Sequence, residues 1–189
     1  MAKKAIVFLA EGFEEVEAIT PVDYLRRAGV EVTTVSIGAA AQVPGSHGIR
    51  VCADKVLAAP EGQGGLDPAA WDAVVLPGGG KGADKLAASA AVGSFVTAMD
   101  RAGKLVCAIC ASPAVVLAPL GLLEGREFTC FPGMEEGVSG ASWKESRVVL
   151  DGNLLTSRGA GTAGEFAVAI IGKLLGQAEG EKVAGAVLL

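Results

Sequence analysis

The feature that most constrains this chain is a repeated couplet: a short run of apolar, often β-branched residues that ends at a turn signal, then a stretch with helical spacing. Apolar runs without alternation mark strands covered on both faces, as in a parallel sheet. Lys4 to Ala10 is the first such run, and it stops at Glu11-Gly12. From Phe13 the period changes. Val16, Ile19, Val22 and Leu25 recur at helical spacing, acidic residues crowd the first turn, and Arg26-Arg27 ahead of Gly29 close the last one. Val30 to Ile37 reads as a second strand, so the opening predicts a β-α-β unit with a right-handed crossover.

The couplet returns further along. Trp71 to Pro77 predicts a third strand, Gly78-Gly79-Gly80 a turn, and Ala83 to Arg101 a helix ended by Gly103. Leu105 to Ile109 predicts a fourth strand and Ser112 to Leu117 the next helix. Arg147–Leu150 and Asn153–Thr156 flank Asp151-Gly152 as a hairpin would. A last amphipathic helix follows Gly161-Thr162, with Phe166, Ile170, Leu174 and Leu175 on its apolar face. Ala39 to Ala70, rich in Gly, Pro and Ala, is expected to be excursion and loop with one short strand-like segment at Ile49–Cys52. The sum is a doubly wound α/β fold, and such folds place their sites at the carboxyl ends of parallel strands.

With 189 residues, 51% of them hydrophobic, the chain suits a single domain over 1–189 with a full core. A net charge of −5, and no basic cluster longer than Lys3-Lys4 or Arg26-Arg27, speak against a nucleic-acid or anionic-membrane partner. The apolar run before Glu11 is too short for a signal-peptide core or a membrane span, so a cytoplasmic protein is expected. Thiols stay reduced there, and Cys52, Cys107, Cys110 and Cys130 are expected to be free.

Three strand ends meet at one edge of such a sheet: Ala10 to Glu17, Leu76 to Gly80, and Ala108 to Pro113. Cys110 directly follows an apolar strand, and Pro113 suits the first turn of a helix. That is a nucleophile elbow in thiol form, with the positive end of the next helix expected to favour the thiolate. The backbone N–H groups of Gly79 and Ala111 are placed to stabilise an oxyanion. Many cysteines in such places are inert small hydrophobes. Glu14 and Glu15 read as solvated charge that offsets the helix dipole. Taken by itself, Glu17 could be a third such charge or a buried acid facing the sulfur.

Other chemistries fit less well. Cys107 and Cys110 match C-x-x-C, but Cys107 lies inside a strand, and a spacing of three there points the two side chains to opposite faces. Cys52 and Cys130 are scattered and His47 is the only histidine, so neither a metal site nor a Ser-His-Asp triad is expected. Gly78-Gly79-Gly80-Lys81-Gly82 lacks the phosphate-loop and dinucleotide spacings, and no cofactor is expected.

Ala10-Glu11-Gly12-Phe13-Glu14-Glu15-Val16-Glu17, Pro21-Val22-Asp23, Val75-Leu76-Pro77-Gly78-Gly79, Ala108-Ile109-Cys110-Ala111 and Leu155 to Thr162 together resemble the ThiJ/PfpI superfamily. More narrowly, they resemble its branch that contains the Parkinsonism-associated deglycase. The resemblance implies a flavodoxin-like sandwich, usually a homodimer. It makes Cys110 the nucleophile, Glu17 its protonated partner, and Gly79 and Ala111 the oxyanion donors. It further implies a cofactor-independent glyoxalase III or deglycase acting on methylglyoxal, glyoxal or their early glycation adducts. The alternative is an oxidative-stress sensor or redox-regulated chaperone that works through a Cys110 sulfinate. Two positions depart from relatives. Ala111 stands where protease-like members carry histidine, so peptidase activity is not expected, and Phe131 stands where the animal deglycase has histidine. His47 falls where arginine is common near the dimer contact, and a structural role is expected for it.

Overall fold

The computed structural model describes residues 2–57 and 66–189. In chain order it runs β1 (Lys4–Leu9), α1 (Glu15–Arg27), β2 (Glu31–Ser36), β3 (Gln42–Pro44), β4 (Arg50–Cys52), β5 (Lys55–Val56), β6 (Ala73–Leu76), α2 (Gly80–Ala88) and α3 (Ala90–Arg101). There follow β7 (Leu105–Ile109), a π-helical turn (Pro113–Leu117), β8 (Glu127–Phe128), β9 (Ser142–Trp143), β10 (Val148–Asp151), β11 (Leu154–Ser157), α4 (Ala163–Leu175) and α5 (Gln177–Ala186).

Seven strands form one sheet in the order β10-β11-β7-β6-β1-β2-β5. All its neighbours pair in parallel except β10, which returns antiparallel on β11 as the Asp151-Gly152 hairpin predicts. Alternate residues of the buried strands feed two cores. Ala5, Val7 and Leu9 face Val22 and Leu25 of α1 and Phe166 and Ile170 of α4. Ile6 and Phe8 face Leu86 of α2 and Val92, Phe95, Val96 and Met99 of α3. This is the expected α/β sandwich with helices on both faces. Among the described residues no helix is long and apolar enough to cross a membrane.

The topology fixes where a site can form. From β1 the chain moves to β2 on one side, and later enters β6, β7 and β11 on the other. The crevice beyond the carboxyl ends of β1 and β6 is therefore the switch point of the sheet.

Several elements differ from the sequence reading. The stretch expected to be one helix over Ala83–Arg101 is two, because the Ser89 side chain accepts the Val92 N–H at 3.4 Å and starts α3 afresh. The excursion after Ala39 carries more structure than expected: β3 and β4 form a hairpin and β5 joins the edge of the main sheet. Residues 58–65 of that excursion lie outside the described residues, and Pro68–Ala70 form a 3-10 turn. β8, β9 and α5 have no counterpart in the sequence reading. The helix expected at Ser112–Leu117 is a single π-helical turn.

Candidate active site

Cys110 sits at the first residue past β7 with φ of 65°, the left-handed region that costs a non-glycine residue about 1–2 kcal/mol. Two backbone hydrogen bonds hold it there. Its N–H donates to the Ser157 carbonyl at 2.9 Å, and its own carbonyl accepts the Phe131 N–H at 2.8 Å. The Ser112 hydroxyl donates to the Pro77 carbonyl at 2.6 Å, which ties the elbow to the end of β6. The positive φ also takes Cys110 out of strand alternation, so it packs against the same core as Cys107. This corrects the expectation that the two thiols face opposite ways. Cys107 is wholly buried, and burial holds its thiol well above its ordinary pKa.

Glu17 reaches the elbow from α1. It is 1% exposed, and one carboxyl oxygen, Oε2, accepts the Gly78 N–H at 2.9 Å. Its carboxyl group faces Cys110 across Gly78 and acts on the thiol electrostatically. Gly78 makes this proximity possible, since a Cβ there would lie 2.6 Å from both the Cys110 Cβ and Glu17 Oε2. Pro21, inside α1, has no N–H to give to the Glu17 carbonyl one turn back, which leaves the helix locally loosened at the acid.

Burial pushes the Glu17 carboxyl up to about 7, with the Glu14 charge adding to it and the hydrogen bonds from Cys110 and Gly78 opposing it. Burial, then the Glu17 charge and hydrogen bond, push the Cys110 thiol up to about 12, while the N–H groups of Gly79 and Ala111 pull it down. The two groups act as one unit. Above about 7 the pair keeps one proton and one negative charge, shared between oxygen and sulfur. The expected stabilisation of the thiolate by the following helix does not prevail: burial and Glu17 hold the thiol up, and the helix there is only a five-residue π turn. The local N–H groups of Gly79 and Ala111 take its place. Gly79 adopts φ of 85° as the N-cap of α2, a conformation that favours glycine at this turn beside the thiol.

All four expected site residues, Cys110, Glu17, Gly79 and Ala111, are thus brought together. Glu15 is not the solvated charge expected of it. It is 4% exposed, its Oε1 takes the N–H groups of His47 (2.8 Å) and Ile49 (3.2 Å), and its Oε2 lies 3.1 Å from the Ser46 hydroxyl and 3.0 Å from His47 Nδ1. His47 is an exposed clamp on Glu14 and Glu15, which fits the structural role expected of it. Cys52, Cys107, Cys110 and Cys130 are all free. Phe131, 50% exposed beside the elbow, is an element of the site whose role the residue pattern did not reveal. Its signal was a large aromatic in a Pro-Gly turn.

Residues 3–173 match the model of the DJ-1/PfpI family. The chain belongs to the DJ-1/PfpI family. It is 40% identical to protein dj-1beta of Drosophila melanogaster over 191 residues, covering 100% of this chain and 98% of that protein. It is 39% identical to protein DJ-1 homolog B of Arabidopsis thaliana over 97% of its own length, but spans only 41% of that longer relative. The structure of oxidized Toxoplasma gondii DJ-1 superposes with a TM-score of 0.91 at 36% identity, covering 99% of this chain and 98% of the other. Family membership explains why strand-end glycines, acid and thiol converge as they do.

Proposed function

We propose that this protein is a cofactor-independent glyoxalase III or deglycase that acts on methylglyoxal, glyoxal or their early glycation adducts. The observation that carries the reading is the buried Glu17 carboxyl, raised to about 7, facing across Gly78 a thiol held at a strained elbow. A pair holding one proton supplies both a nucleophile and an acid.

For methylglyoxal, the Cys110 sulfur adds to the aldehyde carbon and the carbonyl oxygen takes the proton shared with Glu17, giving a hemithioacetal. The N–H groups of Gly79 and Ala111 stabilise the oxygen as charge builds on it. Glu17, now a carboxylate, removes the hydrogen of the former aldehyde carbon. It returns a proton to the neighbouring carbon through an enediol, leaving a thioester of lactate. Water cleaves the thioester and restores the thiol. The aldehyde carbon is oxidised as its neighbour is reduced, so no external redox partner is required. Glyoxal gives glycolate by the same route. Ala111 leaves no imidazole next to the thiol, and His47 is engaged by Glu14 and Glu15, which supports aldehyde chemistry over peptide hydrolysis. Cys110→Ala is expected to abolish glutathione-independent lactate formation, and full activity in that variant would sink the proposal.

A second reading has its own support. Cys110 is partly exposed, the N–H groups of Gly79 and Ala111 favour its charged form, and the Toxoplasma relative was observed oxidized. Two equivalents of peroxide would convert the thiol to a sulfinate and release two waters, with Glu17 donating a hydrogen bond to the product. Intact mass after peroxide treatment tests it: a gain of two oxygens that is lost in Cys110→Ala supports sensing. Homodimer formation in the cytoplasm belongs to the same proposal, supported by exposed Val16 and Ile19 on α1 and Ile49 on the adjoining hairpin. Sedimentation at a monomer mass would remove it.

A further inference from the structure

Gly159 follows Ser157 and Arg158 at the carboxyl end of β11, and its missing side chain leaves a defined space beside the reacting pair. An ideal Cβ on Gly159 would lie 3.6 Å from Phe131 Cδ2 and 3.8 Å from Glu17 Oε1. Both are ordinary van der Waals separations, so an alanine fits at this position and its methyl group would touch both the ring and the acid. Glu17 Oε1 is the oxygen that does not take the Gly78 N–H, and it is the one nearer Gly159.

Substrate placement follows from the chemistry. The first carbon is bonded to Cys110 and its oxygen is directed to the N–H groups of Gly79 and Ala111. A proton moving between the two carbons through Glu17 requires the second carbon to lie beside this carboxyl group. The substituent on that second carbon then projects over Gly159, with the edge of Phe131 behind it. Phe131 is held in that position from both ends of its own peptide unit: its N–H donates to the Cys110 carbonyl at 2.8 Å, and its carbonyl accepts the Met134 N–H at 3.1 Å. Its ring is half-exposed, so it packs on the site and not on the core.

We infer that Phe131 and the bare backbone of Gly159 are the specificity determinants of this enzyme, selecting 2-oxoaldehydes whose second carbon carries one methyl group over those with hydrogen or a bulky substituent. The inference rests on the aldehyde chemistry proposed above. It assigns Phe131 a positive role as an apolar wall of the site.

The test compares glyoxal, methylglyoxal and phenylglyoxal as substrates of wild type, Gly159→Ala and Phe131→Ala. Gly159 has φ of 164°, extended backbone that alanine adopts without strain, and Phe131 is half-exposed, so both variants should fold. One methylene in an apolar pocket changes discrimination by roughly 10–200-fold. Gly159→Ala occupies the space and is expected to lower the methylglyoxal-to-glyoxal ratio of kcat/KM at least about tenfold. Phe131→Ala removes the wall and is expected to raise the phenylglyoxal-to-methylglyoxal ratio by a similar factor, with Phe131→Leu restoring much of the wild-type ratio. Protection of Cys110 from iodoacetamide by each aldehyde, read by intact mass, gives the same ratios for hemithioacetal formation without turnover. Adducts that form with no lactate would defeat the glyoxalase reading and leave the inference to be judged on the adduct ratios. Either variant ratio staying within about threefold of wild type, or no protection by any of the aldehydes, overturns the inference.

Discussion

Glu15 and Glu17 are two residues apart on one helix, both almost wholly buried, yet their carboxyl groups are driven in opposite directions. Burial acts on each to raise it. At Glu15 it is outweighed by backbone N–H donors, including those of His47 and Ile49, and by the His47 ring, and the group falls to about 2. At Glu17 the protein offers one N–H and a thiol, and the group rises to about 7. The difference shows what makes a buried acid structural or chemical: the number of donors aimed at it. Glu15 is a permanent anion that pins the loop before β4 to α1. Glu17 is left short of donors, and so keeps a proton it can lend.

The largest expected break in this comparison is at Glu17→Gln. The amide keeps an acceptor for the Gly78 N–H but cannot carry a proton between carbons, and lactate formation should fall on the order of a thousandfold. Retention of more than a tenth of wild-type activity would show that water does the proton transfer.

Stability should move the other way. A carboxyl whose folded pKa is about 7 against an ordinary 4.5 costs stability as pH rises through that window, by up to about 3 kcal/mol once both states are ionised. Glu17→Gln is therefore expected to match wild type in denaturant melts at pH 4 and to exceed it at pH 8. Equal stability at both would mean that Glu17 is solvated in the folded protein.

Glu15→Gln should show the mirror image at smaller size. Its folded pKa lies below the ordinary value, so its stabilisation is present above about 4.5 and is lost as pH falls toward 2. Because the carboxylate borders an exposed loop, we expect about 2 kcal/mol lost at pH 7, with the difference from wild type shrinking at pH 3. The smallest effect belongs to His47→Ala. Glu15 and Glu14 raise the His47 pKa, so its ion pairing is complete below the unfolded value and disappears as pH rises through the folded one. A fall in thermal midpoint of no more than about 2 °C at pH 6, and none at pH 9, is expected.

The same pair of residues shows what a sequence can and cannot disclose. Cys110 is legible as a candidate because its turn is signalled locally, by an apolar strand before it and Pro113 after it. Glu14, Glu15 and Glu17 look alike by spacing, since their fates depend on groups far along the chain. His47 is 32 positions from Glu15, and Gly78 is 61 from Glu17. Only the resemblance to a family separated Glu17 from its neighbours. The strands of the main sheet were read within a residue or two because their apolar runs are continuous. β5, with two residues, is too short to carry any period. The break between α2 and α3 was hidden by an apolar pattern that runs through it, although Ser89 was its visible sign.

Gly78 gives the site a particular kind of inheritance. Every replacement there adds at least one carbon, and that carbon would fall 2.6 Å from both the Cys110 Cβ and the Glu17 carboxyl oxygen. Phe131, half-exposed at the rim, can be exchanged without such a clash. A lineage has no comparable freedom at Gly78, where the first step of drift forces the acid and the thiol apart. Diversification within this architecture is thus channelled to the rim of the site, while its centre stays without neighbouring sequences to explore.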